Sequence, residues 1–269
     1  MRKPVNPYAS SGTHNRFGRS RLGGGVTATN SNARIVTRPQ VPDVPATREL
    51  SAMVNMGLNS DRARGMMIQR LRDQGITNEK VLAAMMAVPR HLFVDQGLAS
   101  RAYEDAALPI GYGQTISQPW VVARMISTLC ENGVPAKILE VGGGCGYQAA
   151  VLAQLTREVY VIERVRGLYE QARDRLRGMG LVPRIRLTYG DGMVGLPASA
   201  PFEAIIVAAA GLEIPQALTE QLTIGGRLIA PEGTTAQRLV MLERTGPGSW
   251  HRTELEAVRF VPLRGGVQS

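Results

Sequence analysis

A chain of 269 residues can hold one large or two small domains, and its 44% hydrophobic share is ordinary for a soluble globular protein. The only cysteines, Cys130 and Cys145, form no C-x-x-C pair, which argues against a disulfide framework and a zinc site, so no metal is expected and a reducing, cytoplasmic setting fits. No apolar run approaches the ~18 residues of a membrane span, and the first residues lack a signal-peptide core, which speaks against a membrane role.

The net charge of +9 is unevenly placed: residues 1–50 carry eight basic side chains against Asp43 and Glu49, a net +6. With the Gly23-Gly24-Gly25 run, five prolines and no apolar periodicity, this stretch cannot offset the entropy of ordering and reads as a disordered basic extension. It is either a solvated tail, an electrostatic contact for an acidic partner such as nucleic acid, or a presequence whose glycines and prolines oppose an amphipathic helix. The remaining residues, 51–269, read as the folded domain.

Ser60 is placed to cap a helix opening at Asp61, with Ala63, Met67 and Leu71 at four-residue steps before Gly75. Thr77 or Asn78 opens a second helix through Val81, Leu82 and Met85, which stops before Pro89. His91 sits among apolar residues and reads as a packed, hydrogen-bonded side chain. Gly111 and Gly113 mark a loop, and Ser117 followed by Pro119 reads as the N-cap of a helix with Val122, Met125, Ile126 and Leu129 on its apolar face.

The stretch Lys137 to Tyr147 organises the rest. Ile138, Leu139 and Val141 read as a buried parallel strand, followed by a glycine turn into a helix. Glycine has no Cβ and tolerates positive φ, so the amides of Gly142, Gly144 and Gly146 are expected to face a ligand. A dinucleotide fingerprint needs a third glycine at 147, where this chain has Tyr147, whereas G-x-G-x-G closes at Gly146. That spacing favours S-adenosylmethionine over a nicotinamide dinucleotide.

Strand and helix patterns then alternate: a helix with Ala149, Leu152 and Leu155; a strand Val159–Ile162 ending at Glu163; a helix with Leu168, Ala172 and Leu176; and a strand Ile185–Tyr189 ending at Gly190-Asp191-Gly192. Ala204–Val207, a short helix entered at Pro215 and Arg227–Ala230 follow, and 237–243 with 251–263 read as a closing antiparallel pair. The order implies an α/β fold, a doubly wound, mostly parallel, Rossmann-like sheet with helices on both faces, preceded by the two N-terminal helices. Ligands of such sheets bind beyond the strand carboxyl ends, where the glycine loop, Glu163 and Asp191 fall, and an acid there accepts hydrogen bonds from ribose hydroxyls.

Taken together, these residues resemble the protein-L-isoaspartate O-methyltransferases from about Ser60 to Leu263. The most specific parts are Val88-Pro89-Arg90-His91-Leu92-Phe93-Val94, Leu108 to Pro119, Gly190-Asp191-Gly192 and Val258 to Leu263. The resemblance implies methyl transfer from S-adenosylmethionine to the stray α-carboxylate of L-isoaspartyl residues in damaged proteins. It places the active-site serine at Ser117 beside Gln118, the cofactor on Thr115, Ile116 and Glu140 through Gly146, a ribose acid at Glu163, an adenine-side acid at Asp191 with Gly192, and a peptide cleft at Val261 and Pro262. A monomer is expected. The family's usual G-T-G-S-G loop is here Gly142-Gly143-Gly144-Cys145-Gly146, its usual Asp-Asn is Asp105-Ala106, and its usual Pro-Val-Gly is Pro231-Glu232-Gly233.

The chemistry needs no general base, since a carboxylate is ionised at neutral pH, and it agrees with the absence of a histidine cluster. Alternatives are a methyltransferase for another acceptor and an inactive methyltransferase-like protein that binds nucleic acid through its tail. Cys145, near a helix N-terminus, is either an activated thiolate or a small filler of the turn.

Overall fold

The computed structural model describes residues 46–269, with side chains from Ser60 onward. The basic extension expected over residues 1–50 lies outside the described residues as far as residue 45. Helix α1 already runs from Ala46 to Asp73, so Ser60 lies within it and the expected start at Asp61 is corrected. Met67 and Leu71 are fully buried on its inner face, as their spacing predicts. Helix α2 (Glu79–Ala87) opens where expected: Asn78 Oδ1 accepts the Val81 N–H at 3.3 Å, and the chain turns extended before Pro89.

Two short strands, β1 (Leu108–Gly111) and β2 (Gln114–Ile116), make an antiparallel hairpin where the two glycines suggest only a loop. Gly111, Tyr112 and Gly113 all have positive φ, so the chain reverses within three left-handed residues. Helix α3 (Pro119–Leu129) follows, and its cap corrects the reading of Ser117. The cap residue is Gln118, with no side-chain capping bond of its own. Because Pro119 has no N–H, the first free donor is that of Trp120, and Asp105 Oδ1 accepts it at 3.2 Å.

The central sheet is built from β3 (Lys137–Val141), β4 (Glu158–Glu163), β5 (Ile185–Tyr189), β6 (Phe202–Val207), β7 (Leu222–Gly233), β8 (Gln237–Gly246) and β9 (Ser249–Val258), in the order β5-β4-β3-β6-β7-β8-β9. Pairings from β5 through β7 are parallel, and β8 and β9 close the sheet antiparallel. Strand β9 ends at Val258, five residues short of the expected Leu263. Residues beyond it leave the sheet edge, and Pro262 instead bridges to Ala210 after β6.

Residue alternation divides the core between the two sheet faces. Ile138, Val159, Val161, Ala204 and Ile206 pack with α1–α3, α4 (Tyr147–Leu155) and α5 (Arg166–Gly178). Leu139, Val141, Ile162, Ile205 and Val207 face the other way, where the single short helix α6 (Gln216–Glu220) contributes Leu218. Each fully buried aliphatic side chain contributes about 1.5–3 kcal/mol, which is why β3, β4 and β6 read as near-continuous apolar runs, broken in β3 by Glu140. The strand order reverses between β3 and β6, and a sheet of this kind opens a crevice beyond the carboxyl ends there.

Candidate active site

The glycine loop after β3 has the expected backbone: Gly142, Gly144 and Gly146 lie at φ 86°, 53° and 88°. Its amides, however, are not turned to a ligand. Gly142 and Gly143 donate to the Ile162 carbonyl at 2.9 and 3.2 Å, Gly144 to Glu163 Oε2 at 2.8 Å, and Gly146 to the Gly143 carbonyl at 2.8 Å. The glycines therefore provide conformation and room rather than donors, and the loop presents bare backbone to the crevice.

Glu163, at the end of β4, is buried and uses both carboxylate oxygens, Oε2 on Gly144 and Oε1 on the Val165 N–H at 2.7 Å. It holds the turn beside β4 against the glycine loop. Glu140, one strand over, is only 1% exposed, and its Oε1 accepts from Gln148 Nε2 at 3.2 Å while Oε2 has no partner. Burial pushes its carboxyl well above the ordinary glutamate range; the Gln148 bond opposes this and the neighbouring Glu163 adds to it. Gln148 lies inside α4 and was not legible as a site residue, although a carboxylate within an apolar strand calls for a buried donor.

Asp191 does not join this group. Its Oδ1 accepts the Met193 N–H at 2.9 Å and its Oδ2 the Gly266 N–H at 2.7 Å, so the carboxylate pins the C-terminal segment and does not line the crevice. Gly192 does line it, and a Cβ there would meet Val141 Cγ1 at 2.6 Å.

Two cavities open at this end of the sheet. The first, about 340 Å³, is walled by Thr115, Ile116, Ser117, Glu140, Gly142, Gly144, Glu163, Gly192, Val261 and Pro262 among the expected residues. Gly146 is buried beneath it against Ala172 and Leu176 and does not line it. The second, about 670 Å³, is walled by Gln118, Trp120, Arg259, Phe260 and Val261 among others. Thr115, Ser117, Ala208 and Val261 line both, so Ser117 stands in the shared wall. The 261–263 stretch reaches that wall because the Val261 carbonyl accepts from Ala210 at 2.8 Å and Leu263 donates back to Ala210 at 2.7 Å. Gln268 also lines the first cavity, held by backbone bonds to Arg164 and Arg166, and no feature of the sequence marks it out.

The protein-family model described as protein-L-isoaspartate(D-aspartate) O-methyltransferase (PCMT) matches residues 62–268. The chain belongs to this family. A protein-L-isoaspartate O-methyltransferase of Bordetella parapertussis is 64% identical over 269 residues, the full length of both chains, and one of Burkholderia thailandensis is 56% identical over 84% of this chain and 69% of that protein. Among solved structures, a protein-L-isoaspartate O-methyltransferase superposes with a TM-score of 0.69 at 26% identity, covering 76% of this chain and 67% of that one. A Plasmodium falciparum protein described as a beta-aspartate methyltransferase (PCMT), solved in complex with S-adenosyl-L-homocysteine, shares the fold with a TM-score of 0.64 at 24% identity, over 74% of this chain and 97% of that one. The activity is methyl transfer to L-isoaspartyl residues of damaged proteins, with S-adenosylmethionine as donor.

Cys145 is 3% exposed, and burial raises its thiol above the ordinary range against weaker opposing effects from the Tyr147 backbone, Arg90 and Arg175. Of the two alternatives for Cys145, this burial favours the small filler of the turn. Burial likewise carries Cys130 to about 11. His91 Nδ1 lies 2.7 Å from the Tyr103 hydroxyl, the packed, hydrogen-bonded histidine expected. Among the described residues no group of three or more metal-ligating side chains is clustered, and no helix is long and apolar enough to cross a membrane.

Proposed function

We propose that the first cavity takes S-adenosylmethionine and the second takes the isoaspartyl stretch of a substrate protein, with Ser117 between them. The observation that carries this reading is the double exposure of Ser117, which faces both spaces at the end of β2. The donor site fits the group: the unpartnered, buried Oε2 of Glu140 calls for a polar partner from outside the protein, and the glycine loop leaves the space a Cβ would occupy. S-adenosyl-L-homocysteine in the Plasmodium protein supports the same assignment. When bound, S-adenosylmethionine supplies an electrophilic methyl on a sulfonium.

The chain's own residues have to align a carboxylate with that cavity and exclude water, and orientation of this kind is worth roughly 7–11 kcal/mol in favourable cases. The Ser117 hydroxyl orients the isoaspartyl carboxylate, and Gln118, Val261 and Pro262 flank the peptide. The nucleophile is already ionised, so no proton has to be moved. Among the described residues no histidine lines either cavity. The protein acts as a monomer in this reading, and the two buried unpaired thiols suit the reducing cytoplasm. The chemistry rests on residues 51–269, with residues 1–50 as a dispensable extension.

The test is a pair of hexapeptides of one sequence, differing only in an isoaspartyl or aspartyl linkage, incubated with methyl-labelled donor. Base-labile label on the isoaspartyl peptide alone is expected. Equal labelling of both would overturn the substrate assignment.

A further inference from the structure

The β1–β2 hairpin lies across the first cavity, and two glycines let it come close. A Cβ at Gly144 would meet Ile110 Cδ1 of β1 at 3.3 Å. At Gly167, the second residue of α5, a Cβ would run into the hydroxyl and ring of Tyr112. Glycine is a poor helix former, and the three atoms that a Cβ here would meet first all belong to the tyrosine. Tyr112 itself is held with φ at 54°, the one non-glycine positive φ among the described residues, and it is flanked by Gly111 and Gly113 at 90° and 69°. Its side chain is 53% exposed and lines the cavity together with Val165 and Leu168 at the base of α5. The phenol thus reaches from the hairpin tip across to α5 while contributing little to the core.

We infer that Tyr112 is a positioning residue for the methyl donor, a latch seated on Gly167 that closes the first cavity and sets how fast the cofactor or its demethylated product leaves. The inference rests on the assignment of the first cavity to S-adenosylmethionine. A left-handed tip between two glycines can lift while the Leu108–Ile116 and Pro109–Thr115 pairings hold, because glycine has wide backbone freedom on both sides of the hinge. Seating is selective for glycine at 167, since any side chain there displaces the phenol.

The test is the dissociation rate of S-adenosyl-L-homocysteine from the full-length protein, measured by displacement in stopped flow, alongside its Kd by calorimetry. Tyr112→Ala should release the ligand roughly tenfold faster, with most of the affinity change in the off-rate. Tyr112→Phe keeps the ring over Gly167 and should stay within about twofold of the parent. Gly167→Ala should reproduce the Tyr112→Ala rate, and combining the two should add nothing further, because both remove one contact. In the Tyr112→Ala background, Gly167→Ala should raise Tm, alanine being the better helix former once the phenol is gone. Unchanged dissociation in Tyr112→Ala, or additive effects in the double variant, would overturn the latch while leaving the cavity assignment standing. A parent protein that fails to bind S-adenosyl-L-homocysteine would overturn both.

Discussion

Arg90 donates from Nη2 to the Ser117 carbonyl oxygen at 2.7 Å, so a fully buried guanidinium fixes the backbone of the residue that stands between the two cavities. Its Nε donates to the Ala102 carbonyl at 2.8 Å, and its Cζ lies 4.8 Å from the centroid of the Tyr147 ring, the first residue of α4. Burial lowers its pKa, with Tyr147 and Cys145 acting in the opposite sense. One side chain therefore ties the chain just after the β1–β2 hairpin to the helix that follows the glycine loop. Arg90→Lys keeps the charge but not the planar fork that reaches two carbonyls. We expect a folded protein with kcat reduced about tenfold and cofactor Kd unchanged. Arg90→Met leaves two acceptors without a donor, at about 1–3 kcal/mol each, and urea unfolding should register that loss.

Glu163 reads from the sequence as a ribose acid, and in the structure it also holds the loop. A glutamine at this position has one acceptor oxygen for two backbone donors, so either the Gly144 or the Val165 N–H would face an amide nitrogen. Glu163→Gln should weaken S-adenosyl-L-homocysteine binding at least about tenfold, consistent with about 1–3 kcal/mol for an unmet donor. Calorimetry that returns an unchanged Kd would remove both roles.

Gly143 departs from the family's usual loop, and the structure gives the reason: a Cβ there would lie 2.5 Å from Val161 Cγ1, on a fully buried side chain of β4. Gly143→Ala should cost about 1–3 kcal/mol of stability through overpacking. Adding Val161→Ala should return part of the loss that each change causes alone, a coupling that denaturant midpoints of the four proteins would reveal.

The raised Glu140 carboxyl makes stability depend on pH. The folded state keeps its proton to a higher pH than the unfolded chain, whose glutamate titrates near about 4.3. Folding then takes up a proton, so this group costs nothing below the unfolded pKa, and stability falls as pH rises from there through the folded pKa. Glu140→Gln removes the loss. Urea unfolding at pH 5 and pH 8 should find the variant gaining on the parent at the higher pH, and a constant difference would refute the assignment.

Much of the fold was legible because strand and helix periods differ. Val159–Ile162 and Ala204–Val207 are apolar on both faces, and Ile138–Val141 is so except for Glu140, as buried parallel strands are, and Asn78 and Pro89 bracket α2 by cap and break. The hairpin escaped because Gly111 and Gly113 identify a turn without saying that Leu108 and Ile116 pair across it. Ser117 reads as a cap because it offers the nearest hydroxyl, whereas the donor it would meet is satisfied by Asp105, twelve residues upstream. Glu163 reads as a site residue from its place at a strand end, and it lines the first cavity. The hydrogen-bonded glycine amides and the turn of Asp191 away from the crevice depend on partners, Ile162 and Gly266, that only the three-dimensional path brings near.

The most direct test of the two-cavity account is single-turnover methyl transfer by Ser117→Ala on an isoaspartyl peptide, with S-adenosyl-L-homocysteine Kd measured on the same preparation. The account predicts a chemical step slowed about ten- to a hundredfold, a loss of orientation worth about 1.4–2.7 kcal/mol, with Kd within about twofold of the parent. Transfer at the parental rate would contradict the placement of Ser117 as the residue that orients the carboxylate.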